Sequence, residues 1–235
     1  IADDDDVGSS ITTTGTLTLT STAEIGNTAM GAEGLNIDVG TLAITGTGSS
    51  NVTLTHEGTT NTNLTFGDTV VGGALMATAS SGGIVDTGVL TITGASTFNT
   101  IAAGASIILD SSTNAFSNAV TFKAGATGLG TFTNLTFVDN GNVNISNAAS
   151  GDGDLFIDAN TDGMLSGALS ITSAVGSISQ NVVALNVGTT SSFTTSLAGE
   201  DIALGTATNE FIGAVTLSTM GTVGSTPGDV TIVSG

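Results

Sequence analysis

Leu90-Thr91-Ile92-Thr93-Gly94-Ala95-Ser96-Thr97-Phe98 opens a stretch that the chain contains twice. Residues 90–137 reappear, without a gap, as residues 185–232. Leu90-Thr91-Ile92 falls on Leu185-Asn186-Val187, Phe98 on Phe193, and Ile107-Ile108-Leu109 on Ile202-Ala203-Leu204. Asn114-Ala115-Phe116 falls on Asn209-Glu210-Phe211, Val120-Thr121-Phe122 on Val215-Thr216-Leu217, and Leu135-Thr136-Phe137 on Val230-Thr231-Ile232. Of 48 aligned positions, 17 are identical, and most of the others exchange one aliphatic or one small polar residue for another. A long repeat of this kind marks a stacked architecture, in which each unit buries its apolar face against the next.

The pattern inside the repeat runs through the rest of the chain. Three to five residues alternate between apolar and Thr, Ser or Asn, then a cluster of Gly, Asn, Asp or Ser intervenes. Period-two alternation bounded by turn residues predicts strands, and no segment carries a helical period. The expected class is all-β. In a sandwich each strand has its own neighbours and the spacing has no reason to recur, whereas stacked coils require recurrence. A coil of about 24 residues gives about ten coils and a parallel β-helix roughly 45–50 Å long. On that reading residues 95 positions apart sit at equivalent corners, with Phe98/Phe193 and Phe116/Phe211 pointing inward. The expected layout is an acidic lead-in over residues 1–10 and a single solenoid over residues 11–235, in which 90–137 is repeated at 185–232.

Composition narrows the function classes. The chain has 20 acidic residues, one base (Lys123), no Arg and a formal net charge of −19. Binding DNA or RNA requires cations that replace counterions at phosphates, so a nucleic-acid partner is excluded, and an anionic membrane surface with it. A transmembrane barrel needs aromatic girdles, but Tyr and Trp are absent, and no apolar run is long enough to span a bilayer as a helix. Disorder is disfavoured by 39% hydrophobic against 9% charged residues. The lack of Cys fits a secreted bacterial chain and also a cytosolic one, and the start at Ile1 reads as a processed product or a segment of a longer protein.

Gly88-Val89-Leu90-Thr91-Ile92-Thr93-Gly94-Ala95-Ser96-Thr97-Phe98, then Ile107-Ile108-Leu109 and Asn114-Ala115-Phe116-Ser117-Asn118-Ala119-Val120-Thr121-Phe122, resembles the repeat of filamentous-haemagglutinin-like proteins. Gly167-Ala168-Leu169-Ser170-Ile171-Thr172-Ser173 and Ser177-Ile178-Ser179-Gln180 extend the resemblance, which covers roughly residues 64 to 235. It implies a right-handed β-helix belonging to a large bacterial surface or secreted exoprotein exported by two-partner secretion. The amino-terminal secretion domain of those proteins is not recognisable here.

Candidate chemistry is sparse. Asn160-Thr161-Asp162 matches a short motif of polygalacturonase-like glycosidases, whose chemistry uses clustered carboxylates. The histidine and basic segments those enzymes need are missing, since the sole His, His56, lies between Thr55 and Glu57. The chain is expected not to be an enzyme. Asp158, Asn160 and Asp162 followed by Gly163 match the opening of a calcium loop, in which alternate oxygen ligands precede a Gly at the sharp turn. The closing bidentate acid is replaced by Leu169. Asp3, Asp4, Asp5 and Asp6 form a weaker candidate of the same kind. Calcium is the one cofactor expected. His56 reads as a surface or turn residue, and Met30, Met76, Met164 and Met220 as core fillers. Outward Thr16, Thr18 and Thr20 raise ice binding, against which the uneven coil lengths argue.

The function expected is a non-catalytic extracellular structural or adhesive rod segment of a large bacterial surface or secreted protein. The alternative is a self-assembling filament subunit that stacks end to end. Partners are then either further copies of the chain or a host or cell-surface ligand, with no membrane insertion.

Overall fold

The computed structural model describes residues 11–26, 34–125, 133–146, 154–158, 164–181, 184–205, 208–221 and 226–234, with only the backbone described at 154–158 and 164. In chain order the strands begin with β1 (Ile11–Ser21), β2 (Leu35–Gly46), β3 (Val52–His56), β4 (Leu64–Val71), β5 (Leu75–Ala79), β6 (Ile84–Asp86) and β7 (Leu90–Ile92). There follow β8 (Ser96–Thr100), β9 (Ile107–Leu109), β10 (Ala115–Phe116), β11 (Val120–Ala124), β12 (Leu135–Asp139), β13 (Val143–Ile145), β14 (Asp154–Asp158) and β15 (Met164–Leu165). The series closes with β16 (Leu169–Ser173), β17 (Ile178–Gln180), β18 (Asn186–Val187), β19 (Ser191–Thr195), β20 (Ile202–Leu204), β21 (Glu210–Phe211), β22 (Val215–Thr219) and β23 (Val230–Ile232). The described residues contain no helix, and every pairing is parallel.

These strands stack as a β-solenoid of about eight turns, roughly 35–40 Å tall at the usual strand spacing. Each turn in the amino-terminal half visits three ladders. The first holds β3, β5, β8, β11 and β14. The second holds β6, β9, β12, β16, β19 and β22. The third runs from the end of β4 through β7 to β10. In the carboxy-terminal half β13, β17, β20 and β23 form one ladder. There β15, β18 and β21 form a separate three-stranded sheet. A uniform 24-residue coil predicts more turns; here successive strands of the second ladder are as far apart as 28 and 34 residues.

Alternation delivers the core. In β8 and β19 every second residue is buried, because neighbouring side chains on a strand face opposite sides of the sheet. Five phenylalanines drawn from different ladders meet inside. The Phe98 ring lies 6.1 Å from Phe66, 6.1 Å from Phe116 and 5.7 Å from Phe122, and Phe137 lies 5.5 Å from Phe122. Phe193 contacts Phe211 at 6.2 Å. Each fully buried ring contributes about 2–3 kcal/mol.

Two expectations are corrected here. Phe98 stacks on Ala77 and Phe122 in the first ladder, whereas Phe193 stacks on Ile171 and Leu217 in the second. The 95-residue shift therefore does not return to the same corner. Ser191 stands three turns above Ile107, through Leu135 and Leu169, and Ile107 is already one ladder past Ser96. The repeat spans three turns and one ladder step, because the intervening turns are unequal. The methionines also depart from expectation. Met76, on an outward position of β5, is 45% exposed, and Met220, just past the end of β22, is 50% exposed; Met30 and the Met164 side chain lie outside the described residues.

Candidate functional site

The corners carry most of the polar chemistry. Asn51, Asn63, Asn134, Asn142 and Asp201 each stand one residue before a strand. Each accepts, through Oδ1, the backbone N–H one residue before the strand above. The donors are Ala74 at 2.9 Å, Gly83 at 3.0 Å, Ala168 at 3.0 Å, Ser177 at 2.9 Å and Asp229 at 2.7 Å. The side chain replaces a carbonyl where the ladder turns away, so that a corner N–H keeps a partner.

Three buried carboxylates act in the same way and were not found by motif. Asp86 accepts from the N–H groups of Asp110 at 2.9 Å and Ser111 at 3.3 Å, and from Asn114 Nδ2 at 2.6 Å. Burial pushes its pKa above the ordinary carboxylate value, against the pull of those donors. Asp139 accepts the Phe116 N–H at 2.9 Å. It also lines an open groove of about 310 Å³ with Ser117, Asn140 and Asn142. Asp38 is wholly buried and accepts from the Thr59 hydroxyl at 2.5 Å, the Thr60 N–H at 2.6 Å, and both the N–H and Nδ2 of Asn61 at 2.9 Å. Burial would raise its pKa, but these hydrogen bonds prevail and hold it well below the usual range. The signal available in sequence is an acid closing an apolar run, as in Ile84-Val85-Asp86 and Phe137-Val138-Asp139.

His56 is corrected from a surface position to a wholly buried one. It ends β3 in register with Ile37 and Ala79. Its Nε2 lies 3.3 Å from the Val39 carbonyl and 3.9 Å from Asp38 Oδ1, while Nδ1 has no partner. Burial lowers its pKa, against the Val39 carbonyl and the charges of Asp38 and Glu57. Alternation from Val52 places residue 56 inward, and the polarity of the ring concealed this.

Asp158 ends β14, on a rung with Lys123 and, below it, Asn99. Its side chain, together with Asn160, Asp162 and Asp3 to Asp6, lies outside the described residues, so the geometry of the calcium readings does too. Among the described residues no three His, Cys, Asp or Glu side chains gather as a metal site.

A family described as repeats of unknown function, DUF5649, matches residues 49–123 and 133–218, more than half of the chain. The chain belongs to the DUF5649 repeat family. No curated protein and no solved structure matches it. The two DUF5649 segments start just before β3 and just before β12, at Asn-preceded corners of different ladders.

Proposed function

We propose that this β-solenoid is a non-catalytic, extracellular rod segment of a large bacterial surface or secreted protein, which displays its outward face to a host or cell-surface ligand. The observation that carries the reading is where the reactive groups point. Asp86, Asp139 and His56 are turned inward, Asp38 is buried under the turn of residues 59–61, and the three acids accept backbone hydrogen bonds. Groups held this way support the fold and are poorly placed to meet a substrate. The half-buried outward positions of β8, β16 and β19 are Thr97, Asn99, Ser170, Thr172, Ser192 and Thr194, a hydroxyl-rich surface that suits recognition by many weak hydrogen bonds. Calcium enters the proposal as a counter-ion for the acidic stretches that contain Asp158, Asn160 and Asp162 and Asp3 to Asp6. Antibody raised against the chain tests the location: it labels intact, unpermeabilised source cells or their medium. Labelling that appears only after the cells are opened overturns the proposal.

A second reading, end-to-end assembly, is favoured by the last described coil. Phe211, Val215 and Leu217 there are only half-buried, and Val230 and Ile232 are exposed at inward-alternating positions. A coil laid on them in register, from another copy or from further chain, covers them and pairs that edge. Electron microscopy of the purified chain with and without calcium decides between rods of one length and filaments.

A further inference from the structure

One cluster joins the first three coils, with Asp38 and His56 buried beneath a turn whose Thr59 and Thr60 are exposed. Asp38 and Val39 belong to β2, His56 to β3, and Thr59 to Asn61 to the turn that follows. Asn61 Nδ2 also reaches the Thr13 carbonyl of β1 at 3.1 Å. We propose that His56 and Asp38 form an acid-released clamp, which is closed at neutral pH and lets go of the turn around residues 59–61 when the imidazole takes up a proton.

The argument begins with a single carboxylate that has two claimants. Asp38 is already engaged by four donors from the turn, two on each oxygen. His56 Nε2 stands at 3.9 Å from Oδ1, too far for a hydrogen bond. A neutral ring tolerates this arrangement, with Nε2 against the Val39 backbone and Nδ1 bare. A protonated ring does not, since it carries two N–H donors and a charge in a wholly buried place. It must either draw Asp38 away from the turn or leave the interior, and each route frees Thr60 and Asn61. Other charge near the ring is limited. Glu57 is adjacent in sequence, while the paired residues Ile37 on β2 and Ala79 on β5 are uncharged.

The sign of the pH dependence follows from the directions of the shifts. His56 has a folded pKa below its unfolded value of 6.5, so its contribution is intact above that value and is lost as pH falls through the folded pKa. Asp38 has its folded pKa lowered from 3.8, so it remains charged, and holds the turn, until much stronger acid. Between these limits the imidazole is the member of the pair that changes charge, and it is the only histidine in the chain.

Hydrogen exchange on the intact chain tests the clamp at about pH 7 and about pH 5, after correction for intrinsic rates. Protection of the Thr60 and Asn61 amides should fall by about tenfold or more. The Leu169 and Ser191 amides, which donate to Thr190 and Ala214, should keep theirs. In His56→Gln the difference between the two pH values should vanish. Equal protection at both values, or the same loss in His56→Gln, overturns the clamp. Should that variant not fold, titration of the lone imidazole in the unaltered chain decides. A midpoint below that of free histidine supports the clamp, and one at or above it refutes the clamp.

Discussion

The two copies of the internal repeat share their hydrogen bonds and differ in what surrounds them. In the first copy the Leu90 N–H donates to the buried Asn114 Oδ1 at 2.8 Å; in the second the Leu185 N–H donates to the buried Asn209 Oδ1 at 2.9 Å. Gly104 and Gly199 both adopt positive φ, at 71° and 85°, where a Cβ is strained. The partners beyond these contacts diverge. Asn114 binds the Asp86 carboxylate, whereas Asn209 exchanges hydrogen bonds with the Gln180 amide. Phe98 packs among aromatic rings with turns above and below, while Phe193 has one ring partner among the described residues and lies one turn from the last described coil. The repeat thus fixes the corners, and position along the stack sets the energy of each copy.

Core truncation should expose the largest gap. Phe98→Ala should destabilise by about 3–5 kcal/mol and Phe193→Ala by less, within the same range for buried rings. Denaturant unfolding followed at both copies measures it, and an equal or reversed cost refutes the claim that stacking position sets the energy. Removing the buried amides comes next. Asn209→Ala leaves the Leu185 N–H unpaired, at about 1–3 kcal/mol, and Asn114→Ala should exceed it because a buried carboxylate also loses a donor. Equal melting of the two variants would show that Asp86 and Gln180 are interchangeable.

Smaller effects sharpen the similarity. Ser96 and Ser191, equivalent in the two copies, each bury a hydroxyl that has no partner. Ser96→Ala and Ser191→Ala should each leave stability unchanged or raise it by about 1 kcal/mol; a clear loss in either would reveal a partner. The smallest effect concerns pH. Asp86 has a raised folded pKa, so its contribution is greatest in acid and is lost as pH rises through that pKa. Asp86→Asn should flatten this component of a melting curve taken against pH, and the Gln180 copy should show no counterpart. A profile unchanged by Asp86→Asn removes the carboxylate from the explanation.

Much of this fold was legible because strand, corner and core are written in local alternation. Phe98, Phe116 and Phe193 read as inward and are buried, while Phe211, read the same way, is half-buried. What alternation does not record is which ladder a strand joins. That depends on turn lengths, and the turns of 28 and 34 residues after Ile107 moved the second copy one ladder on. The site was less legible for a related reason. Asp38 and His56 look like surface residues by polarity, yet both are buried, His56 on the inward face and Asp38 under a covering turn, with partners about 20 residues away in a neighbouring turn. Spacing motifs such as that at Asp158, Asn160 and Asp162 describe neighbours along the chain, whereas a solenoid builds its contacts across turns.

The ladder offset between the copies also governs what an approaching molecule meets. Thr97 and Ser192 are equivalent in sequence but stand on neighbouring ladders, so matching side chains climb the rod like treads on a spiral stair. With three ladders to a turn, each further copy of such a repeat would be rotated by about a third of a turn, and three copies would come back into line after about ten turns. A flat surface pressed against one side would touch every third tread, while a strand-like partner winding round the rod would touch them all.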